Sequence, residues 1–462
     1  MFVIVLLIAS AIMFTFALIF TIESLHEKEP RSPMFGAAGV VFSVLLSLII
    51  IFVPLLRIPA TFFFGLGGIF VLIVLIPGKP YARAVKGTMG HVVGNPKRFD
   101  ERDIVFARIR LGNEGSSGQK GCYTKYYKEM YPEKEEPDAV RREKGMLGKN
   151  GGGAIDNSYP PNISMLHSAF DIPDLLGPHT KAEPQPDEVP IKMDPAKATE
   201  IAKNYAKHIG ADLVGVCKVN PLWVYSHRGE IHFDNWDDWG KEITGVPPYA
   251  LVMCTEMNWE HVSSAPHTPA VSESANCYAR GAYLGITMAR WFAHMGYKGV
   301  AQNTRRYDTL LSPLAVDAGL GEIGRNGYLI APKYGTRVRV FATLTDMPLM
   351  PDKPISIGAD EFCRKCKKCA ESCPSKSLPL DNKVVHNGVE KWKLNEESCF
   401  EYWSKVGTDC SVCMAICPFA RPDTFSHRIV RGLMARSPVA RTLFPYMDNV
   451  LYGKKWRSRK VS

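Results

Sequence analysis

The sequence predicts three membrane-spanning helices, then an α/β domain, then a compact cysteine-rich module. Three observations carry this reading. Two N-terminal stretches are almost free of charge: residues 1–22 hold none, and residues 33–77 hold Arg57 alone. Between 194 and 344, helix-like segments alternate with apolar strand-like runs. Eight of the twelve cysteines fall between 363 and 417.

The first stretch reaches the roughly 20 apolar residues that a hydrocarbon core requires. No basic residue precedes it and no small-x-small pattern follows it, which argues against a cleavable signal, and no twin-arginine pair precedes it. The second stretch is too long for one span. Pro54, Arg57 and Pro59 read as a tight turn between helices at about 35–54 and 59–76. Lys79, Arg83, Lys86, Lys97 and Arg98 follow the third span, and Lys28 and Arg31 lie in the loop on the same side. The positive-inside rule then predicts an integral protein of the cytoplasmic membrane, its larger part in the cytoplasm.

After this anchor (1–77), residues 78–190 read as a linker and irregular region, with a flexible loop at 145–153 and a Pro-rich linker at 173–190. The α/β domain spans 191–350. Asp194-Pro195 is an N-cap with Pro at the first helical position, and Gly210 stops that helix. Leu213–Val219, Ala250–Met257 and Thr336–Leu344 read as strands, and Ser274–Met295 as a long helix. Gly319, Gly321 and Gly324 form G-x-G-x-x-G, but after a helix-like segment (313–318) instead of a strand, the wrong context for a dinucleotide fingerprint. A glycine-rich turn packed closely against a large ligand is the better reading, which makes these three glycines candidate cofactor-binding residues.

The cysteines carry the sharpest signal. Cys363, Cys366, Cys369 and Cys373-Pro374 have the x2-x2-x3 spacing of a bacterial two-cluster iron–sulfur run. Cys410, Cys413 and Cys417-Pro418 form a second run, with Cys399 upstream as its missing member. The fourth cysteine of each such run ligates the other cluster. One [4Fe–4S] cluster therefore takes Cys363, Cys366, Cys369 and Cys417, and the other takes Cys373, Cys399, Cys410 and Cys413. Structural zinc would use the same thiolates but does not account for the paired Cys-Pro runs. The predicted cytoplasmic side disfavours disulfides. Cys122, Cys217, Cys254 and Cys277 are most simply buried small hydrophobes. The two-cluster domain spans 351–425 and a basic segment 426–462. Such clusters move single electrons, so the α/β domain before them should hold the electrons' destination.

The stretches Ala318-Gly-Leu-Gly-Glu-Ile-Gly-Arg325, Leu329-Ile-Ala-Pro-Lys-Tyr-Gly335, Arg337-Val-Arg339 and Thr345-Asp-Met-Pro-Leu, followed by Glu361-Phe-Cys363, resemble the catalytic subunit of corrinoid-dependent reductive dehalogenases. Ser375 after Cys373-Pro374 and residues 444–453 extend the resemblance, which covers roughly 190–455. It implies a nitroreductase-like α/β core that holds a cobalamin base-off, with a ferredoxin-like two-cluster module beside it. The sequence has no Asp-x-His-x-x-Gly motif, in keeping with that state. The family places a tyrosine, an asparagine and a basic residue around the upper face of the cobalt. By spacing these match Tyr278, Asn303 and Arg339. The resemblance implies that Tyr278 supplies a proton, that Arg339 holds the phenolate or the halide, and that Asn303 orients substrate or halide. Tyr283 is the alternative to Tyr278, and Arg325 or Arg337 to Arg339. The implied partners are an organohalide and a low-potential donor such as a ferredoxin or flavodoxin. The chain departs from most respiratory members in carrying its own three-helix anchor instead of docking to a separate one.

Two other readings use the same residues. An epoxyqueuosine-reductase-like enzyme couples a corrinoid to two clusters but acts on a tRNA base. A membrane-tethered ferredoxin-type carrier would need no corrinoid. Trp223, Trp236, Trp239 and Trp259 suit an apolar substrate pocket, though core packing is the simpler role. The net charge of +10 suggests nucleic acid at first. Residues 421–462, however, hold ten basic and two acidic residues, which is +8 of that total. A local patch beside a membrane anchor touches anionic lipid more simply.

Overall fold

The computed structural model describes residues 2–108, 122–144, 160–181, 183–229, 238–303, 306–407 and 409–461. The expected loop at 145–153 and Trp236 lie outside these residues, as does the side chain of Cys122.

Three apolar helices open the chain: α1 (Phe2–His26), α2 (Ser32–Phe52) and α3 (Arg57–Leu75). All three are long and apolar enough to cross a membrane. Ser10 Oγ donates to Ser43 O (3.0 Å), a buried polar link between α1 and α2. The lone charge of residues 33–77 caps a helix. Arg57 Nε and Nη2 donate to Ile50 O (2.8 Å) and Ile51 O (3.1 Å), carbonyls left open at the end of α2.

The region expected as a linker holds helices α4 (Val105–Arg108), α5 (Cys122–Met130), α6 (Glu135–Lys144) and α7 (Pro160–Lys181). The Pro-rich stretch expected from 173 thus begins inside α7, which packs along the longest helix of the next domain. Pro173, Gly177 and Pro178 read as breakers in the sequence, but tertiary packing holds the helix through them.

The central sheet is flanked by helices on both faces. Helix α8 (Pro195–His208) starts at Asp194, whose side chain accepts from Ala196 N and Lys197 N. Strands β1 (Leu213–Lys218) and β2 (Tyr249–Glu256) follow, then α9 (Trp259–Val262), α10 (Thr268–His294), β3 (Gly299–Gln302) and α11 (Leu311–Asp317). A short hairpin, β4 (Glu322–Ile323) with β5 (Leu329–Ile330), leads to β6 (Val338–Thr345). The sheet order is β1-β2-β6-β3, and every pair is antiparallel. Alternation of helix and strand therefore does not build parallel crossovers here. Side chains divide by the period of two. Leu251 and Met253 of β2 join Leu284, Met288 and Phe292 of α10 and the alanines of α8 on one face. Ala250, Val252 and Cys254 join Leu314 and Ala315 of α11 on the other. Strand β3, only four residues long, was not expected from the sequence.

The cysteine module comprises α12 (Ala359–Cys366), α13 (Lys368–Glu371), a hairpin of β7 (Val384–His386) and β8 (Val389–Lys391), α14 (Glu396–Val406) and α15 (Val412–Ala415). Two further helices, α16 (Phe425–Arg436) and α17 (Pro438–Tyr452), pack between this module and the anchor. Val430, Met434 and Phe444 face Ile357 and Phe362 of the module.

The loop between α1 and α2 is locked to the C-terminal segment. Glu29, almost fully buried, pairs with both Arg421 and Arg459. His427 Nδ1 lies 3.1 Å from Glu27 Oε1. The guanidinium groups of Arg421 and Arg459 also lie over the Trp259 ring, at 5.7 and 5.0 Å. The basic segment is thus divided. Arg421, Arg431, Arg441 and Arg459 turn inward to Glu29, Asp423 and Glu361. Arg428, Arg436, Lys454, Lys455, Arg457 and Lys460 remain exposed.

Candidate active site and cluster-binding module

Tyr278 and Arg339 meet because α10 crosses β6. On β6 the odd-numbered side chains face α10, so Arg339, Phe341 and Thr343 line that side. Arg339 Cζ lies 5.2 Å from the Tyr278 ring centroid. Phe341 stands edge-on to the same ring at 6.4 Å. The approach needs glycine at 281, where a Cβ would lie 2.2 Å from the Phe341 ring. Arg339 Nη2 donates to Ser274 Oγ (2.6 Å) and Asp409 Oδ2 (3.2 Å), and Ser274 Oγ donates to Asp409 Oδ2 (2.7 Å). Burial works against the Arg339 charge, but Tyr278, Asp409 and Tyr328 more than offset it and hold the guanidinium protonated. Its Nε has no partner among the described residues.

Asn303 meets the same helix about one turn further on. Its Nδ2 donates to Gly281 O (3.3 Å) and Ala282 O (3.4 Å), and Gly285 leaves the room it fills. The residue is fully buried, yet Oδ1 finds no partner among the described residues. An orphaned buried acceptor costs free energy and suits a ligand contact. Beside it, Gln302 and Asp308 exchange hydrogen bonds of 2.7 and 2.6 Å and brace this turn.

The alternatives to these residues are committed elsewhere. Arg337 is buried, donating to Ala420 O and pairing with Glu256. Arg325 is buried too, its Nη1 donating to Pro379 O and Asp381 O (both 2.8 Å), its Nε and Nη2 to Cys363 O (both 3.1 Å). Tyr283 is 52% exposed. Trp223 donates to Thr88 Oγ1 (2.9 Å), Trp239 packs on Tyr126 and Tyr127, and Trp259 lies among arginines.

The glycine-rich turn is a joint between domains. A Cβ on Gly319 would meet Lys353 O at 2.5 Å, and one on Gly321 would meet Ile330 O at 2.1 Å. The Gly324 position abuts Ile330 at 2.7 Å. The close approach that demands glycine here is to the chain's own residues. Between these glycines, Glu322 accepts from the backbone of Ile357 (2.5 Å), Gly358 (3.0 Å) and Asp360 (3.2 Å) and so caps α12.

Helix α12 carries Cys363 and Cys366, and α13 carries Cys369. With Cys417 they line one pocket, walled by Phe362, Phe419 and Arg325. A left-handed Lys367 (φ 53°) makes the turn between these cysteines, and Ser411 (φ 54°) does the same between Cys410 and Cys413. Cys373, Cys399, Cys410 and Cys413 interact as a second group. Backbone N–H groups of Lys368, Val412 and Phe419 point at the sulfurs of Cys366, Cys410 and Cys417. Ser377 N donates to Cys373 Sγ (3.3 Å). Burial pushes the thiols of Cys363 and Cys410 up to about 12, and those of Cys399 and Cys417 up to about 11. Only a cation among them makes thiolates favourable there. Among the described residues, no group of three or more His, Cys, Asp or Glu is set to hold a single metal ion. Each set supplies four cysteine sulfurs, the donor set of a [4Fe–4S] cluster. Cys217, Cys254 and Cys277 are free and buried, as expected of small hydrophobes.

Ser274 and Asp409 were not singled out in the sequence. Ser274 lies four residues before Tyr278, on the same helical face. Asp409 had one available signal, its place next to Cys410.

Residues 362–420 match the 4Fe-4S dicluster domain family. The chain is 33% identical over 338 residues to the tetrachloroethene reductive dehalogenase of Sulfurospirillum multivorans, covering 65% of either chain. It is 31% identical over 279 residues to that of Desulfitobacterium hafniense, covering 51% of this chain and 50% of the relative. A solved catabolic reductive dehalogenase in complex with 3-bromo-4-hydroxybenzoic acid is 26% identical, with a TM-score of 0.59 over 83% of this chain and 51% of that one. In sequence and in fold the chain is similar to reductive dehalogenases, and it carries a 4Fe-4S dicluster domain. The chain is a homologue of the reductive dehalogenases. It spans between half and two thirds of the length of these curated relatives.

Proposed function

We propose that the protein removes halide from an organohalide by two-electron reduction, R–X + 2e⁻ + H⁺ → R–H + X⁻. The single observation that carries this reading is the half-buried Tyr278–Arg339 pair, tied to the second cysteine group through Asp409. A base-off corrinoid in a nitroreductase-like core supplies the low-potential metal chemistry when bound, and two [4Fe–4S] clusters supply electrons singly. Cys363, Cys366, Cys369 and Cys417 hold one cluster, and Cys373, Cys399, Cys410 and Cys413 hold the other.

The chain's own residues manage the proton and the anion. Tyr278 Oη gives its proton to the carbon that loses halide. Arg339 stabilises the phenolate from a guanidinium already held in place by Ser274 and Asp409, so little reorganisation accompanies the transfer. Asn303 is anchored through Nδ2 and offers Oδ1 to orient the substrate. Asp409 and Ser274 fix the guanidinium over the Tyr278 ring. Cys410 follows Asp409 directly, so the backbone that positions one cluster also positions the proton-donating pair.

A low-potential ferredoxin or flavodoxin is the proposed donor. The three spans make the protein integral, and the charge rule puts the larger part in the cytoplasm. Three of the basic residues behind that rule, Lys28, Arg83 and Arg98, pair with Glu260, Glu390 and Glu242. The exposed residues of 454–460 face anionic lipid. A reporter fused at the C-terminus should be active only in its cytoplasmic form; activity only outside the cell overturns this sidedness.

Anaerobic purification after expression with cobalamin tests the activity. Base-off Co(II) and two cluster signals in EPR spectra, together with reductant-dependent halide release, are expected. Clusters without corrinoid would leave a tethered electron carrier. Retained tRNA in place of halide release would favour the epoxyqueuosine-type reaction.

A further inference from the structure

We infer that α16 and α17 lie flat in the headgroup region of the bilayer and present an apolar face to lipid. The inference rests on reading α1, α2 and α3 as membrane spans. Three crossings in sequence put the end of α1, the start of α2 and the end of α3 on one side of the membrane.

Helix α16 starts at the end of α1, where Glu23 accepts from Phe425 N (2.8 Å) and Ser426 N (3.1 Å). It finishes just past the end of α3, where Gly78 N donates to Arg436 O (2.8 Å). Helix α17 begins at that point, with Pro438 against Gly78. Beyond its last turn, Gly453 sits beside Arg31, immediately before α2. The two helices, about 18 and 22 Å long, thus bridge the span ends in turn and run across the mouth of the bundle.

Their buried sides face the cysteine module. Val430, Met434 and Phe444 join its core, Arg441 pairs with Glu361, and Lys368 pairs with Asp448. The opposite sides carry Phe425, Ile429, Tyr446, Met447 and Val450, from 36 to 63% exposed. On α17 the last three lie at i, i+1 and i+4, a continuous stripe, and a tyrosine suits the headgroup level. Arg428 and Arg436 on α16, with Lys454 and Lys455 after α17, are exposed around it. An apolar stripe rimmed by basic residues and continuous with membrane spans has the chemistry of an interfacial helix, and its occupant is lipid with an anionic component.

The test uses the full chain in phosphatidylcholine nanodiscs with and without phosphatidylglycerol. A photoreactive p-benzoyl-phenylalanine replaces Tyr446, Val450 or, as a control far from the anchor, the exposed Tyr283. Lipid adducts at 446 and 450, absent at 283 and increased by phosphatidylglycerol, are expected. Chains that insert but give no lipid adduct at 446 and 450, or that cross-link there to a second copy, overturn the inference while leaving the spans intact. Failure of the chain to enter nanodiscs overturns the spans and the inference together.

Discussion

Arg339 holds the candidate site together because it belongs to two neighbourhoods. Its guanidinium covers the Tyr278 ring and shares Asp409 with Ser274. Replacing Tyr278 with Phe removes the proton and little else. Halide release should fall by about 10²–10⁴-fold while both cluster signals stay unchanged in EPR spectra; full activity would remove Tyr278 from the mechanism. Asp409→Asn weakens one acceptor without emptying space. We expect kcat to drop by about ten- to a hundredfold, the equivalent of the ~1.5–3 kcal/mol of a hydrogen bond to a charged group, with KM little changed. At this scale the two cysteine runs were legible as a dicluster domain, because the spacing within each run is written over a few residues. Tyr278 and Arg339 needed the resemblance to be noticed at all. Ser274 and Asp409 stayed hidden because they meet only in space, 135 residues apart in the chain.

Among the elements, α12 shows how a helix end can fix a metal-binding turn. The buried Glu322 carboxylate accepts three backbone N–H groups there, those of Ile357, Gly358 and Asp360 just before Cys363. Glu322→Ala should destabilise the cysteine module by about 1–3 kcal/mol, seen as a lower melting temperature and earlier loss of the signal from the cluster held by Cys363. A pH-sensitive pair joins α9 to the start of α10. The hydrogen bond to Glu273 raises His261 above its usual 6.5. Burial opposes the Glu273 charge, but His261, the Asn258 N–H and Asn276 lower its carboxyl below the usual 4.5. The imidazole term is complete below 6.5 and is lost as pH rises through the raised value. The carboxylate term is complete above 4.5 and is lost as pH falls through the lowered one. The melting-temperature advantage of the wild type over His261→Asn should therefore be greatest between about 4.5 and 6.5 and shrink toward pH 8. Helices α8 and α10 and strands β1, β2 and β6 were readable from periodicity and caps. Helix α7 was not, since its prolines and glycine point the other way and only its packing on α10 explains it.

On the scale of the whole molecule, anchor and catalytic part are one packed body among the described residues. The sequence shows a +8 excess from 421 onward but not that four of its guanidiniums face inward. Their acidic partners Glu29 and Glu361 lie far away in the chain, and no local pattern links them. Arg421→Ala leaves buried Glu29 with Arg459 alone. Removing one member of a buried ion pair costs about 3–5 kcal/mol, so limited proteolysis of the inserted protein should cut between anchor and domain much earlier than in the wild type. Arg421→Lys should recover part of the protection.

The Glu29–Arg459 pair joins residues separated by 430 positions. During synthesis, Glu29 emerges and its loop is placed by the first two spans long before Arg459 exists. The acidic loop must therefore wait in water, and it cannot be buried until the ribosome has passed all eight cluster cysteines. The order of translation therefore places this contact after all eight cluster cysteines have been made.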